Sequence, residues 1–191
     1  MSKRERIVEA AIDIFSKNSI EKAKISDITK AAGIAQGTFY LYFPSKLALM
    51  PSIAERTVLK LLNSIKANTN PELSFKKQLS QIIDITFSFV KEYKVIYAFI
   101  YTGLSQTEHL KEWETIYSPF YAWMSEFLDK YKSSKKIKSP LPAQTLAKMV
   151  ITVIEATAEQ TYLYDTKNES TVEKQKEELL IFLQNALATK K

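Results

Sequence analysis

Apolar positions recur at helical spacing along nearly the whole chain, and strict two-residue alternation nowhere persists long enough to suggest a strand. In the first segment Ile7, Ala11, Ile14 and Phe15 share one stripe, with Lys3, Arg4, Arg6 and Lys17 outside it. The polar break KNSIEKAK follows. Ser26 then stands where a hydroxyl oxygen can accept from the free N–H groups that open a short helix running through Ala32. Gly33 suits the left-handed position that ends such a helix. A third short helix is expected over 35–43, halted by Pro44, and Ser45 is placed to cap a fourth over 46–66. NTNPELS at 68–74 reads as a linker, and five more helices are expected at 74–93, 95–103, 107–132, 141–166 and 171–188. The pattern predicts an all-α chain.

Composition narrows the chemistry. Only 3 glycines and 6 prolines occur in 191 residues, so few breakers interrupt long helices. With no cysteine there is no disulfide framework and no thiolate metal site. A single histidine, His109, excludes a multi-histidine centre, and no metal or cofactor is expected. No nucleophile elbow, phosphate loop or triad pattern is visible, so an enzyme is not expected. The formal charge of +6 permits a polyanionic partner without demanding one. The basic start is soon broken by Glu9 and Asp13, unlike a signal peptide. The richest apolar run, VIYAFIY, falls far short of the roughly 20 residues that span a bilayer. The expectation is a cytoplasmic protein with no membrane partner.

The stretch GIAQGTFYLYF at 33–43 is the most informative. On a helical wheel Phe39 and Phe43 point one way, toward a core of Ile7, Ile14, Phe15, Ile28 and Ile34. Gly37, Thr38, Tyr40 and Leu41 spread over the opposite arc, with Gln36 and Tyr42 at its margins. A helix lying in a DNA major groove needs an apolar anchor behind, small residues for close approach and hydrogen-bonding tips in front. Gln36 can pair bidentately with adenine, Thr38 and Tyr40 can reach bases or phosphates, and Leu41 can touch a thymine methyl. Lys46 is expected beside the start of the fourth helix, where free N–H groups already favour an anion, so a phosphate fits between them. Ser26 holds the corresponding place on the second helix. The alternative is that Tyr40 and Tyr42 merely cover the core of a helical bundle that binds nothing.

Taken in order, Ile25-Ser26-Asp27-Ile28, Ala32-Gly33-Ile34, Gly37 through Phe43 and Ser45-Lys46-Leu47 resemble the DNA-binding signature of the tetracycline-repressor (TetR) family. The resemblance covers roughly residues 3–50 and is far more specific than a lone glycine motif. It implies a bacterial transcription regulator, usually a repressor, with a helix-turn-helix head and a larger helical domain for ligand binding and dimerisation. Here these correspond to residues 1–47 and 48–191. It implies a double-stranded DNA operator, a small-molecule inducer and contacts to DNA through Ser26, Gln36, Gly37, Thr38, Tyr40, Tyr42 and Lys46. One departure stands out: the position opening the recognition helix is commonly Ser or Thr, whereas Ala35 has no side chain with which to cap, a loss of about 1 kcal/mol.

The larger domain is rich in aromatics. Phe87, Tyr97, Tyr101, Trp113, Tyr117, Phe120 and Tyr121 are candidate linings of an apolar ligand cavity, although each taken singly reads equally as ordinary core. Glu155 interrupts the apolar run MVITVIEATA, so its carboxylate is paired, at an interface, or aimed into a pocket where a cationic aromatic ligand would suit it. Asp84, Thr102, Gln106, His109 and Thr157 are further polar candidates, His109 reading more simply as solvated. The apolar stripes of the last two helices cap a monomer core or a partner; the resemblance implies a homodimer through 141–166 and 171–188. Pro51 and Pro119 fall inside expected helices and should kink them, with Pro51 setting the tilt of the head. Control by a small, largely apolar inducer and control by a partner protein both remain open.

Overall fold

The computed structural model of the chain describes residues 1–18, 20–104, 112–164 and 169–187, and for 101–104 the backbone alone. Among these residues every regular element is a helix: α1 (Lys3–Lys17), α2 (Ile25–Ala32), α3 (Gln36–Tyr40), α4 (Met50–Asn68), α5 (Phe75–Glu92), α6 (Lys94–Leu104), α7 (Trp113–Ser133), α8 (Ala143–Glu159) and α9 (Glu169–Ala186). A 3₁₀ turn at Leu47–Leu49 leads into α4, and a π-helical turn at Gln160–Tyr164 extends α8. The all-α expectation holds.

Local chemistry explains the ends. Ser2 Oγ accepts from the Glu5 N–H (3.2 Å) while the Glu5 carboxylate accepts from the Ser2 N–H (2.6 Å), a reciprocal capping box that opens α1. α2 begins two residues earlier than a cap at Ser26 would have it. Its cap is therefore not Ser26, and the Asp27 carboxylate accepts from the Lys24 N–H instead (3.2 Å). Gly33 ends α2 at φ 64, ψ 43, the left-handed conformation a β-carbon disfavours.

α3 is only 5 residues long, not the nine-residue span 35–43. Phe43 precedes Pro44, which pushes its backbone away from helix, and the chain tightens into turns first (Leu41 N–H to Thr38 O, 3.3 Å; Tyr42 N–H to Phe39 O, 3.0 Å). Ser45 Oγ accepts from the Ala48 N–H (3.2 Å), capping the 3₁₀ turn. The α-helix proper starts only at Met50, which removes the expected kink at Pro51: in the first turn of α4 its missing N–H would have had no helical partner. Pro119 does lie inside α7.

The chain forms two compact units, Met1–Val58 with Tyr93–Ile116, and Leu59–Glu92 with Tyr117–Lys191, the first division falling inside α4. In the first, Ile7, Ala11 and Phe15 of α1, Ile28 of α2, Phe39 of α3, Ile53 of α4 and Ile96 of α6 close one fully buried core. In the second, α5 packs on α8 and α9 around Leu79, Ile83, Phe87, Ile151, Ala158 and Leu183.

Candidate nucleic-acid interface

A five-residue helix has little stability of its own, since the first turn fixes several dihedrals for one hydrogen bond. α3 also lacks a side-chain cap: Ala35 precedes it in extended conformation (φ −72, ψ 148) and offers no acceptor. Its place is set from behind. Phe39 is 0 % and Phe43 3 % exposed, with ring centroids 5.9 Å apart, and both belong to the core of the first unit.

The front is open. Gln36 and Gly37 are exposed and Thr38 is half-buried, while Tyr40, Leu41 and Tyr42 are 50 %, 82 % and 42 % exposed. Both tyrosines thus stay largely open to solvent, with the Tyr40 ring edge-on to Phe39 at 5.5 Å. Leaving one leucine in water forgoes about 1.5–3 kcal/mol of burial, and here the forgoing is side by side with a bare backbone. A β-carbon on Gly37 would meet nothing within 4 Å, so the fold does not require glycine there. In a helix it costs about 0.5–1 kcal/mol relative to alanine, and it leaves the backbone there open on its outer side.

Ser26 is exposed in the first turn of α2, its carbonyl accepting from Thr29 Oγ1 (3.1 Å) and its hydroxyl unbonded among the described residues. Lys46 is placed differently from the expectation of a helix-start anion site. Its ammonium donates to the carbonyls of Ile20 and Ala23 (the latter at 3.0 Å) in the connection between α1 and α2.

Two residues that pattern analysis did not single out complete the arrangement. The Arg4 guanidinium lies 5.4 Å from the Phe43 ring centroid, and its Nη2 donates to Ser52 Oγ at 2.6 Å. Only a contact across 48 residues reveals this, and no local spacing signals it.

Residues 7–53 match the family model for bacterial regulatory proteins of the tetR family, and residues 79–187 match that for the tetracyclin repressor-like C-terminal domain. The HTH-type transcriptional regulator YvdT of Bacillus subtilis, itself uncharacterized, is 38% identical over 98% of this chain and 96% of its own. The chain belongs to the TetR family. Its fold is shared with a Rhodococcus sp. protein assigned to the same family (TM-score 0.76, 14% identity, 98% of this chain and 100% of that one). It is shared too with the transcriptional regulator FadR of Bacillus subtilis, solved in complex with stearoyl-CoA (TM-score 0.73, 21% identity, 95% and 98%). This TetR-family chain is therefore a DNA-binding transcriptional regulator.

The ligand candidates of the TetR-family regulator do not gather in one unit. Tyr97 is buried and Trp113 half-buried in the first, where Trp113 packs on the core cluster, whereas Phe87, Tyr117, Phe120, Tyr121 and Glu155 belong to the second. The Tyr101 side chain, that of Thr102, and Gln106 and His109 lie outside the described residues. The Tyr117 and Tyr121 rings are tilted by 33° with centroids 5.5 Å apart, the Lys148 ammonium lies 5.2 Å from the Tyr121 ring centroid, and Glu155 is 6 % exposed.

Two of the polar candidates are engaged. Thr157 Oγ1 donates to Val153 O (2.6 Å), and Asp84 pairs with Lys176 (3.2 Å), whose ammonium also reaches Glu173 (2.8 Å). Burial alone would lower the Lys176 pKa; hydrogen bonds and charge from Glu173 and Asp84 outweigh it and hold the ammonium above its ordinary value. Nearby Tyr162, edge-on to Phe87 at 6.2 Å, is raised by burial.

Proposed function

We propose that this regulator is a repressor. As a homodimer it places residues 36–42 of each copy in the major groove of a palindromic operator and lets go when a small, largely apolar inducer enters the second unit. The observation that carries the reading is the front of the recognition segment: Leu41 at 82 % exposure beside Gly37, on a segment whose phenylalanines are buried. The proposed base and backbone contacts are Gln36, Gly37, Thr38, Tyr40, Leu41 and Tyr42, with Ser26 on a phosphate.

Dimerisation through α8 and α9 is supported by apolar side chains left in water there: Met149 (52 %), Ile181 (56 %) and Phe182 (55 %). An apolar inducer suits the buried aromatics Phe87, Tyr117 and Phe120, with Tyr121 at their side and Glu155 as a polar group among them. FadR's stearoyl-CoA makes long-chain acyl thioesters the first class to try. The work is binding rather than catalysis, carried out in the cytoplasm; among the described residues no helix is long and apolar enough to cross a membrane.

The test is footprinting of the purified protein on its source genome, with paired protected half-sites expected about one helical turn, or a multiple, apart. Tyr40→Ala should weaken operator binding by about tenfold or more, and stearoyl-CoA should release the operator if acyl thioesters are the inducers. Absence of any protected site at moderate salt, or undiminished binding by Tyr40→Ala, overturns the reading.

A further inference from the structure

We propose that the lysines gathered around Tyr131 form a further DNA-binding surface, in the second unit, which holds the phosphate backbone of a duplex without reading its bases. The operator reading concerns the first unit alone; this inference rests on it only in taking DNA as the polyanion that the protein meets.

Tyr131, near the end of α7, is 4 % exposed, and its hydroxyl accepts from Gln78 Nε2 of α5 (2.7 Å). Phe75, at the start of α5, lies against it with ring centroids 4.7 Å apart. The ammonium groups of Lys130 and Lys136 come to 5.5 and 5.6 Å from the Tyr131 ring centroid. Lys76 and Lys77 follow Phe75 in the first turn of α5, and Lys135 and Lys138 belong to the turn that leaves α7. All six lysines are exposed, and among the described residues none pairs with a carboxylate, not even that of neighbouring Asp129. The formal excess of the whole chain is only +6, so its unpaired positive charge is concentrated here rather than spread.

The turn that carries these charges is built into the unit. Lys132 points inward, its ammonium donating to the carbonyls of Ser139 and Leu141 (2.6 Å each). The N–H groups of Lys136 and Ile137 close on Tyr131 O (2.9 and 3.1 Å), and that of Lys138 donates to Leu187 O at the end of α9 (3.2 Å). Ile137 and Ser139 are buried. Lys135 stands in the left-handed conformation (φ 56), a place that glycine fills most readily. The end of a helix dipole amounts to about half a charge, too little to account for a cluster of this size.

The chemistry of the patch selects among polyanions. Lysine ammoniums are point charges without a fixed fork, so they hold phosphates and do not choose bases. Phe75 (6 %) and Tyr131 are covered, which leaves no ring for unpaired bases to stack on, and a duplex fits where a single strand does not. A lipid surface would also take up apolar side chains, and of the large apolar residues in the turn only Leu141 is exposed (39 %).

The test measures affinity for a duplex unrelated to the operator over a range of salt. Each phosphate contact adds about 0.9 to the slope of log affinity against log salt. Lys130→Gln/Lys135→Asn/Lys136→Gln/Lys138→Gln should flatten that slope by about two or more and weaken binding at low salt by about tenfold or more. Asparagine is used at 135 because it tolerates the left-handed conformation. If that variant does not fold, Lys135→Asn/Lys138→Gln, which keeps both ammoniums on the Tyr131 ring, should flatten the slope by about one or more. Removing the same charge from scattered exposed lysines, as Lys66→Gln/Lys91→Gln/Lys94→Gln/Lys174→Gln, should leave the slope at the wild-type value.

A slope unchanged in the patch variants, or flattened equally in the scattered one, overturns the inference. So does a wild-type protein that does not bind the unrelated duplex at low salt. Vesicles of phosphatidylserine and phosphatidylcholine that bind the wild type and not the patch variant, with the duplex slope unchanged, would give the surface to lipid instead. The duplex carries no operator, so failure to protect any genomic site defeats the operator reading and leaves this measurement to decide the patch by itself.

Discussion

α1 and α3 enter the same core and bury a phenylalanine each, Phe15 and Phe39, to 0 % exposure, yet they are built on opposite principles. α1 runs for 15 residues with a reciprocal cap at its start, and its sequence alone favours the helix. α3 runs for 5 with no cap, and its helix exists because Phe39 and Phe43 are held from behind. Stability that comes from the back of an element places few demands on its front. That freedom leaves Gln36, Gly37, Tyr40, Leu41 and Tyr42 exposed, free for the operator contacts proposed for them.

The sharpest way to break this contrast uses two neighbours in the same segment. Phe39→Ala should lower the stability of the first unit by about 3–5 kcal/mol in urea denaturation. Leu41→Ala, two residues on, should stay within about 0.5 kcal/mol. Similar losses from both would show that the front of α3 is structural after all.

A smaller effect, of opposite sign, comes from giving α3 what α1 has. Ala35→Ser should stabilise the first unit by about 1 kcal/mol through a new cap, read as a raised denaturation midpoint. No gain would mean that the segment's placement leaves no strain at Ala35 for a cap to relieve.

The smallest effect is acidic fraying of α1. Bonds from the Ser2 backbone and hydroxyl hold the Glu5 carboxyl below its ordinary 4.5. A depressed folded pKa contributes stability that is full above 4.5 and is lost as pH falls through the lower folded value. Exchange protection in the first turn of α1 should therefore decline in that window. Glu5→Gln should remove the pH dependence, and α3 should show none of it.

Much of the fold is legible in the sequence because it depends on near neighbours. Gly33, the paired phenylalanines and the helical stripes all declare themselves within four residues. The features that stay hidden depend on distant partners. Lys46 reads as a helix-start cation until the Ile20 and Ala23 carbonyls are seen to occupy it. Arg4 reads as a solvated charge until Phe43 and Ser52 come into view. The same blindness affects the aromatic candidates, since periodicity reports that Tyr97 and Tyr117 will be buried without saying in which unit. Pro51 misleads for a local reason: a 3₁₀ turn delays α4 to Met50, and that places the proline where it does no harm.

The π-helical turn at Gln160–Tyr164 carries a consequence of another kind. It is clasped by Thr161 Oγ1, which bonds Thr157 O (2.7 Å) and Gln175 Oε1 (2.9 Å). A π turn takes in one more residue per hydrogen-bonded loop than an α turn, so side chains within it drift out of the register of α8. Within that turn Tyr162 lies edge-on to Phe87, with ring centroids 6.2 Å apart. Deleting a single residue there would preserve nearly all of the composition and yet swing Tyr162 off the ring. The count of residues in one loop of backbone, more than their identity, sets which flank the end of α8 presents.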